Sequence, residues 1–317
     1  MRRPLALLVT MLMVLTTAAC GGDSDEPDSD SGDKIEGLTV SGTFGTMPVV
    51  KIDPVVKVTK LTTQVLAKGK GEPVNRGDKA LLNVYIANGQ TGKKAVTTYD
   101  DGKPLGVTMD ESKFFPPLVK ALEGQPTGSR LAFADTVKDL YGAAGAEQIG
   151  LKASDSLVFV VDVMSVTPDD VLDGPEGSKV AAPAGLPTIV SNDGVISRLS
   201  WEKAPKTPSD TLRVIPLVKG TGERIEGAKI VTMNYLGQVY GAAKPFENSY
   251  REKPATFDVG IGQLIPGWDK ALRGQRVGSR MMVIIPPKHG YGPSGNPAIK
   301  VTGKSTLVFV IDILGVG

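Results

Sequence analysis

The chain has 317 residues, 41% hydrophobic and 22% charged, enough for two soluble domains of ordinary size. A net charge of +2 without a long Lys/Arg cluster gives nucleic acid no footing. One Cys and one His exclude most multi-ligand metal sites and any thiol–imidazole pair within a domain, so no metal or cofactor is expected.

In chain order, residues 1–20 read as an export signal. Arg2 and Arg3 precede an apolar core from Leu5 to Leu15 that is too short to remain as a spanning helix. Ala18, Ala19, Cys20 and Gly21 then resemble a bacterial lipobox, although Thr17 stands where such signals favour Leu. The resemblance implies a lipid on Cys20 and an extracytoplasmic protein held at the cell membrane. A plain secretory signal with an incidental Cys is the alternative. Residues 21–36 are acidic, Ser-rich and nearly free of apolar side chains, as expected of a disordered tether.

Beyond the tether the chain repeats itself at an offset of 150. Residues 120–130 (KALEGQPTGSR) face 270–280 (KALRGQRVGSR), with eight of eleven identical. Residues 157–162 (LVFVVD) face 307–312 (LVFVID), and Tyr85 faces Tyr235. The expected organisation is a first domain at 37–167, a Pro/Gly-rich linker at 168–184 and a second domain at 185–317. In the second copy, strand signals run from Leu212 to Val218, Ile230 to Tyr235, Met281 to Ile285 and Leu307 to Ile313. Ile265, Trp268, Ala271 and Leu272 share a face at helical spacing, with Pro266 suited to the first turn and Gly274 to the stop. The predicted fold is α+β: a twisted antiparallel half-barrel sheet wrapping one short helix, duplicated in tandem.

Residues 231–237 (VTMNYLG), Phe246-Glu247, residues 264–268 (LIPGW), His289-Gly290-Tyr291-Gly292 and Leu307-Val308-Phe309 follow in an order that resembles the FKBP-type peptidyl-prolyl isomerases. Taken singly, Leu264, Ile265 and Phe309 suit any core, and His289 suits a solvated loop; the set carries the resemblance. It implies a pocket with Trp268 as floor and Tyr235, Phe246, Leu264, Ile265, Tyr291, Ile299 and Phe309 as walls. The Ile265 N–H and the Tyr291 hydroxyl would hold substrate carbonyls. Glu247 stands where the family usually has Asp, and Ala255 where many members have another aromatic.

Such chemistry suits a chain poor in His and Cys. Rotation about an X–Pro bond faces a barrier near ~20 kcal/mol and breaks no bond. A cavity that holds the twisted, less dipolar amide better than either planar isomer is sufficient. The implied partners are Pro-containing segments of exported proteins and, by family, a macrolide ligand. A non-enzymatic peptide-binding or assembly module using the same groove is the other reading.

At the same offset the first copy has Leu118 for Trp268, Val96 for Phe246, Thr97 for Glu247 and Val107 for Phe257. It keeps Tyr85, Tyr141, Ile149 and Phe159, so it is expected to retain the fold without efficient isomerase chemistry.

Overall fold

Two apolar runs, Leu157 to Val161 and Leu307 to Ile311, show no alternation, and a strand of that kind needs cover on both faces. Each lies in the interior of a mixed-length antiparallel sheet. The computed structural model describes residues 34–142 and 151–317; the signal segment, Cys20, most of the tether and Ile149 lie outside them.

The first unit opens with a hairpin of β1 (Leu38–Ser41) and β2 (Val49–Ile52). Its sheet follows: β3 (Thr62–Ala67), β4 (Lys79–Asn88), β5 (Lys94–Thr97), β6 (Leu105–Thr108), β7 (Arg130–Thr136) and β8 (Ser156–Val166). The order is β3-β7-β8-β4-β5, with β6 also on β4. Two short helices intervene, α1 (Pro116–Leu122) and α2 (Val137–Tyr141), where one was expected.

The second unit repeats this plan. Its sheet comprises β9 (Gly177–Lys179), β12 (Arg213–Gly220), β13 (Lys229–Val239), β14 (Glu247–Asn248), β15 (Ala255–Val259), β16 (Arg280–Ile285) and β17 (Leu307–Val316). The order is β14-β13-β17-β16-β12-β9, with β15 on β13. A hairpin of β10 (Thr188–Asn192) and β11 (Val195–Ser200) stands apart, and α3 (Pro266–Leu272) packs on the inner face. Strand β9 falls inside the expected linker, where its backbone extends the second sheet through Val218↔Lys179.

The two hairpins explain how both faces are covered. Leu38, beside Ile35 from the end of the expected tether, packs over Val158 and Val160. Leu186, Ile196 and Leu199 do the same over Met282, Val308 and Val310. The second hairpin had a readable signal, because Asp193 (φ 53°) and Gly194 (φ 82°) form a two-residue turn of the kind Asp-Gly favours.

Strand pairing overturns one sequence correspondence. Tyr235 lies opposite Ile311, but Tyr85 lies opposite Val160, one residue short of the matching place. Val84, opposite Val161, is the true counterpart of Tyr235. Hydrogen bonds agree: Val84 N–H donates to Thr98 Oγ1 at 2.9 Å, and Tyr235 N–H to Ser249 Oγ at 2.8 Å. Glu247, opposite Gly237, therefore corresponds to Val96, which lies opposite Ile86, and not to Thr97; Phe246 corresponds to the residue before Val96. The offset returns to 150 by Val107 and Phe257, opposite Ala80 and Val231. A one-residue slip turns every side chain over. Tyr85 is accordingly buried with the outer-face cluster, while Val84 joins the inner core.

The units touch along β8 and β13. Buried Ser165 Oγ donates to the Gly317 carbonyl at 2.7 Å and accepts from the Ile230 N–H at 2.9 Å. Leu81 and Met164 pack there against Ile230 and Ile261. At the rim, Lys79 Nζ lies 3.6 Å from Asp258 and donates to the Thr256 carbonyl at 3.3 Å. Ser165→Ala strips partners from the buried Ile230 N–H and the half-buried Gly317 carbonyl and is expected to lower unfolding free energy by about 1–3 kcal/mol in chemical denaturation. Lys79→Ala, which leaves the largely buried Asp258 carboxylate without its cation, is expected to lower it by about 1–3 kcal/mol.

Candidate active site

The site is built on the start of α3. Pro266 occupies the first turn, where no N–H is needed, and Ile265 caps it with extended backbone (φ −58°, ψ 141°). The Ile265 N–H donates to no protein group among the described residues. Gly274 (φ +79°) follows the helix where left-handed backbone ends it.

Trp268 is 4% exposed and lies among three rings set edge-on to it. Centroid distances are 5.2 Å to Tyr235, 5.1 Å to Phe257 and 5.2 Å to Phe309, with interplanar angles of 84°, 67° and 86°. Phe246 meets Phe309 at 5.8 Å and 84°. Leu264, Ile265, Tyr291 and Ile299 are half-buried against the same cluster. Eight of the nine sequence-selected pocket residues thus pack together, and Glu247 lies close to the Tyr235 hydroxyl.

Sequence reasoning counted Phe257 among the positions that differ between the copies but left it out of the pocket walls; it touches both Trp268 and Tyr235. Its signal was the β15 alternation, in which it shares a face with Ala255. Gly237 was also passed over as a site residue. A Cβ there would come within 2.7 Å of both the Phe246 and Phe309 rings, so only glycine lets them meet.

The polar groups are tuned mainly by burial. Desolvation raises the Glu247 pKa above the ordinary carboxylate range, with the nearby Tyr235 hydroxyl opposing it. Burial and the nearby Glu247 push Tyr235 up to about 12, and raise Tyr291 as well. The Trp268 Nε1 is buried without an acceptor. His289 sits outside the ring set, 3.4 Å from Lys270 Nζ.

The sequence profile described as FKBP-type peptidyl-prolyl cis-trans isomerase matches residues 70–164 and 222–314, more than half of the chain. The chain belongs to this family. The FK506-binding protein of Streptomyces anulatus is 33% identical over 110 residues, which span 34% of this chain and 89% of that relative. FkpA of Escherichia coli K12, an FKBP-type peptidyl-prolyl cis-trans isomerase by name, is 36% identical over 120 residues, 38% of this chain and 43% of the relative. The 39 kDa FK506-binding nuclear protein of Drosophila melanogaster is 33% identical over 114 residues, of which the chain spans 32% of the relative. The crystal structure of Escherichia coli FkpA is 35% identical and covers 35% of this chain and 50% of its own, with a TM-score of 0.31.

Among the described residues, only the second FKBP unit carries the aromatic cage. In the first, Leu118 takes the Trp268 position and is 2% exposed. Phe133, whose place in the ladder is held by Val283 in the second unit, stacks on Phe159 at 4.6 Å and 14°. Leu118 and Phe133 are buried in one core cluster, where the added phenyl ring offsets the volume lost with the indole.

Because burial raises the folded-state pKa of Glu247, the folded chain binds that proton more tightly than the unfolded chain. The resulting stability is complete below the unfolded pKa and is lost as pH rises through the folded one. Glu247→Gln, which cannot ionise, is expected to lose less stability than wild type between about pH 4 and pH 7. Denaturation midpoints across that range measure it.

Proposed function

We propose that the chain is a peptidyl-prolyl cis-trans isomerase that turns X–Pro bonds of exported proteins in the pocket of its second unit. The observation that carries this reading is the buried indole of Trp268 ringed by Tyr235, Phe257 and Phe309. An apolar floor with no nucleophile favours the twisted amide, which has lost resonance and part of its dipole. The free Ile265 N–H and the Tyr291 hydroxyl are available to hold the flanking carbonyls. Glu247, beside the Tyr235 hydroxyl, faces the rotating carbonyl in place of the usual Asp.

The first unit serves as a non-catalytic module. Leu118, Val84 and Val107 replace three aromatics, and Phe133 adds volume to the core. Cys20 carries the lipid that holds the protein on the outer side of the cell membrane, where exported chains emerge unfolded. Uncatalysed X–Pro isomerisation takes tens of seconds or longer there, so an anchored catalyst meets a real delay. The names of the FK506-binding relatives support a macrolide as a competing ligand of the same pocket.

A protease-free isomerisation assay on the full chain tests the reading. Trp268→Leu is expected to lower kcat/KM by about tenfold or more, and Glu247→Ala by less. Adding Val283→Phe to Trp268→Leu reproduces the filled core of the first unit. A folded double variant with background activity would separate loss of the pocket from loss of stability. Equal, background-level rates for wild type and all variants would leave the peptide-binding module as the function. Mass spectrometry of the mature N-terminus is expected to find a lipid on Cys20.

A further inference from the structure

Beside the aromatic cluster lies a concavity of about 570 Å³. One wall is the loop from β13 to β14, with Ala242, Ala243 and Lys244. The other is the 3-10 turn Pro297–Ile299 and the residue after it, Lys300. Phe246 and Ile299 line this cleft and also pack on the Trp268 cluster, so cleft and cluster share a partition. A peptide whose proline rests on Trp268 leaves the pocket across that partition on one of its two sides.

Both walls are held in place. Asn296 and Val301 exchange backbone hydrogen bonds of 2.8 and 3.0 Å around the turn, and Asn296 Oδ1 accepts from the Ala298 N–H at 3.2 Å. On the facing wall, the Ala242 carbonyl accepts from Trp201 Nε1 at 2.6 Å and from Gln238 Nε2 at 2.7 Å. The floor is apolar, built from Val239, Ala298 and the two shared side chains. Lys244 and Lys300 are exposed, one on each wall, and among the described residues neither pairs with a carboxylate. Glu247, the acid nearest to Lys244 in sequence, does not line the cleft.

We infer that this cleft is a flanking subsite that selects proline-containing segments bearing Asp or Glu within about three residues of the proline, the reach of an extended chain across such a space. The inference rests on the isomerase reading and specifies its substrate class. The volume accommodates one or two side chains, the floor takes their apolar stems, and two unpaired ammonium groups on opposite walls attract the carboxylate.

The test uses the full chain and two peptides with the same Xaa-Pro bond, one flanked by Glu and the other by Lys. The readout is the Glu-to-Lys ratio of kcat/KM, in which any change common to both peptides cancels. At low salt, wild type is expected to favour Glu by roughly two- to tenfold, the range two exposed ion pairs supply. The ratio should approach one at about 0.5 M salt. It should fall to one or below in Lys244→Glu/Lys300→Glu, and stay at the wild-type value in Lys51→Glu/Lys60→Glu, a charge reversal on the first unit. A wild-type ratio of one at low salt, or a Glu preference that survives reversal of Lys244 and Lys300, overturns the subsite. Peptide affinities by titration should follow the same order. Binding that keeps this order without turnover would sink the isomerase reading and still support the subsite, whereas no binding of either peptide would overturn both.

Discussion

A helix of seven residues is too short to hold itself together in water, so α3 exists because its one apolar face is buried against the concave side of a sheet. Trp268 is the largest side chain on that face and sits at the centre of the aromatic cluster. Its indole N–H is buried with no acceptor, which costs about 1–3 kcal/mol. Three edge-on ring contacts, each about 0.5–1.5 kcal/mol, offset it. The demand for close approach then spreads outward. A Cβ at Gly237 would strike the Phe246 and Phe309 rings, and one at Gly267 would lie 2.6 Å from Ile285.

The first unit shows the same backbone with that demand removed. Leu118 needs no aromatic cage, and Phe133 supplies the missing volume by stacking on Phe159. The framework is nevertheless retained in detail. Arg130 and Arg280 each form a two-pronged ion pair, to Asp162 and Asp312 respectively, both with a shortest contact of 2.6 Å. In the first unit the pair is fully buried, because Arg130 also donates to the carbonyls of Gly42 and Thr46 and Tyr99 donates to Asp162. Removing one member of such a pair strands a buried charge, which makes this part of the sheet resistant to drift while the pocket is not.

The union of the two units bears on the pocket through one strand. Strand β15 carries Phe257 into the cage, and on the same strand Thr256 and Asp258 meet Lys79 of the first unit. The second unit also closes its sheet against Ser165, whose hydroxyl is bonded to both Ile230 and Gly317. A unit that has lost its own cage therefore still supports the edge of its neighbour's.

Much of the second unit was legible in the residues themselves. Helical spacing located α3, apolar runs located β16 and β17, and the order of motifs collected eight residues that pack as one cluster. These are local patterns of side-chain type and period, which need no knowledge of partners. The correspondence of Tyr85 with Tyr235 failed because register is set by which strand lies opposite, and one extra residue between Tyr99 and Val107 shifts the earlier strand without disturbing the later ones. The first hairpin carried little signal because segments of four residues say little until the sheet they cover exists, whereas the second had a readable Asp193-Gly194 turn that was passed over. Sequence alone thus determined the family, the helix and eight of the side chains that pack in the Trp268 cluster. Tertiary structure decided the register, the filled core of the first unit, the Ser165 junction and the raised pKa of Glu247, since each depends on residues distant in the chain that only folding brings into contact.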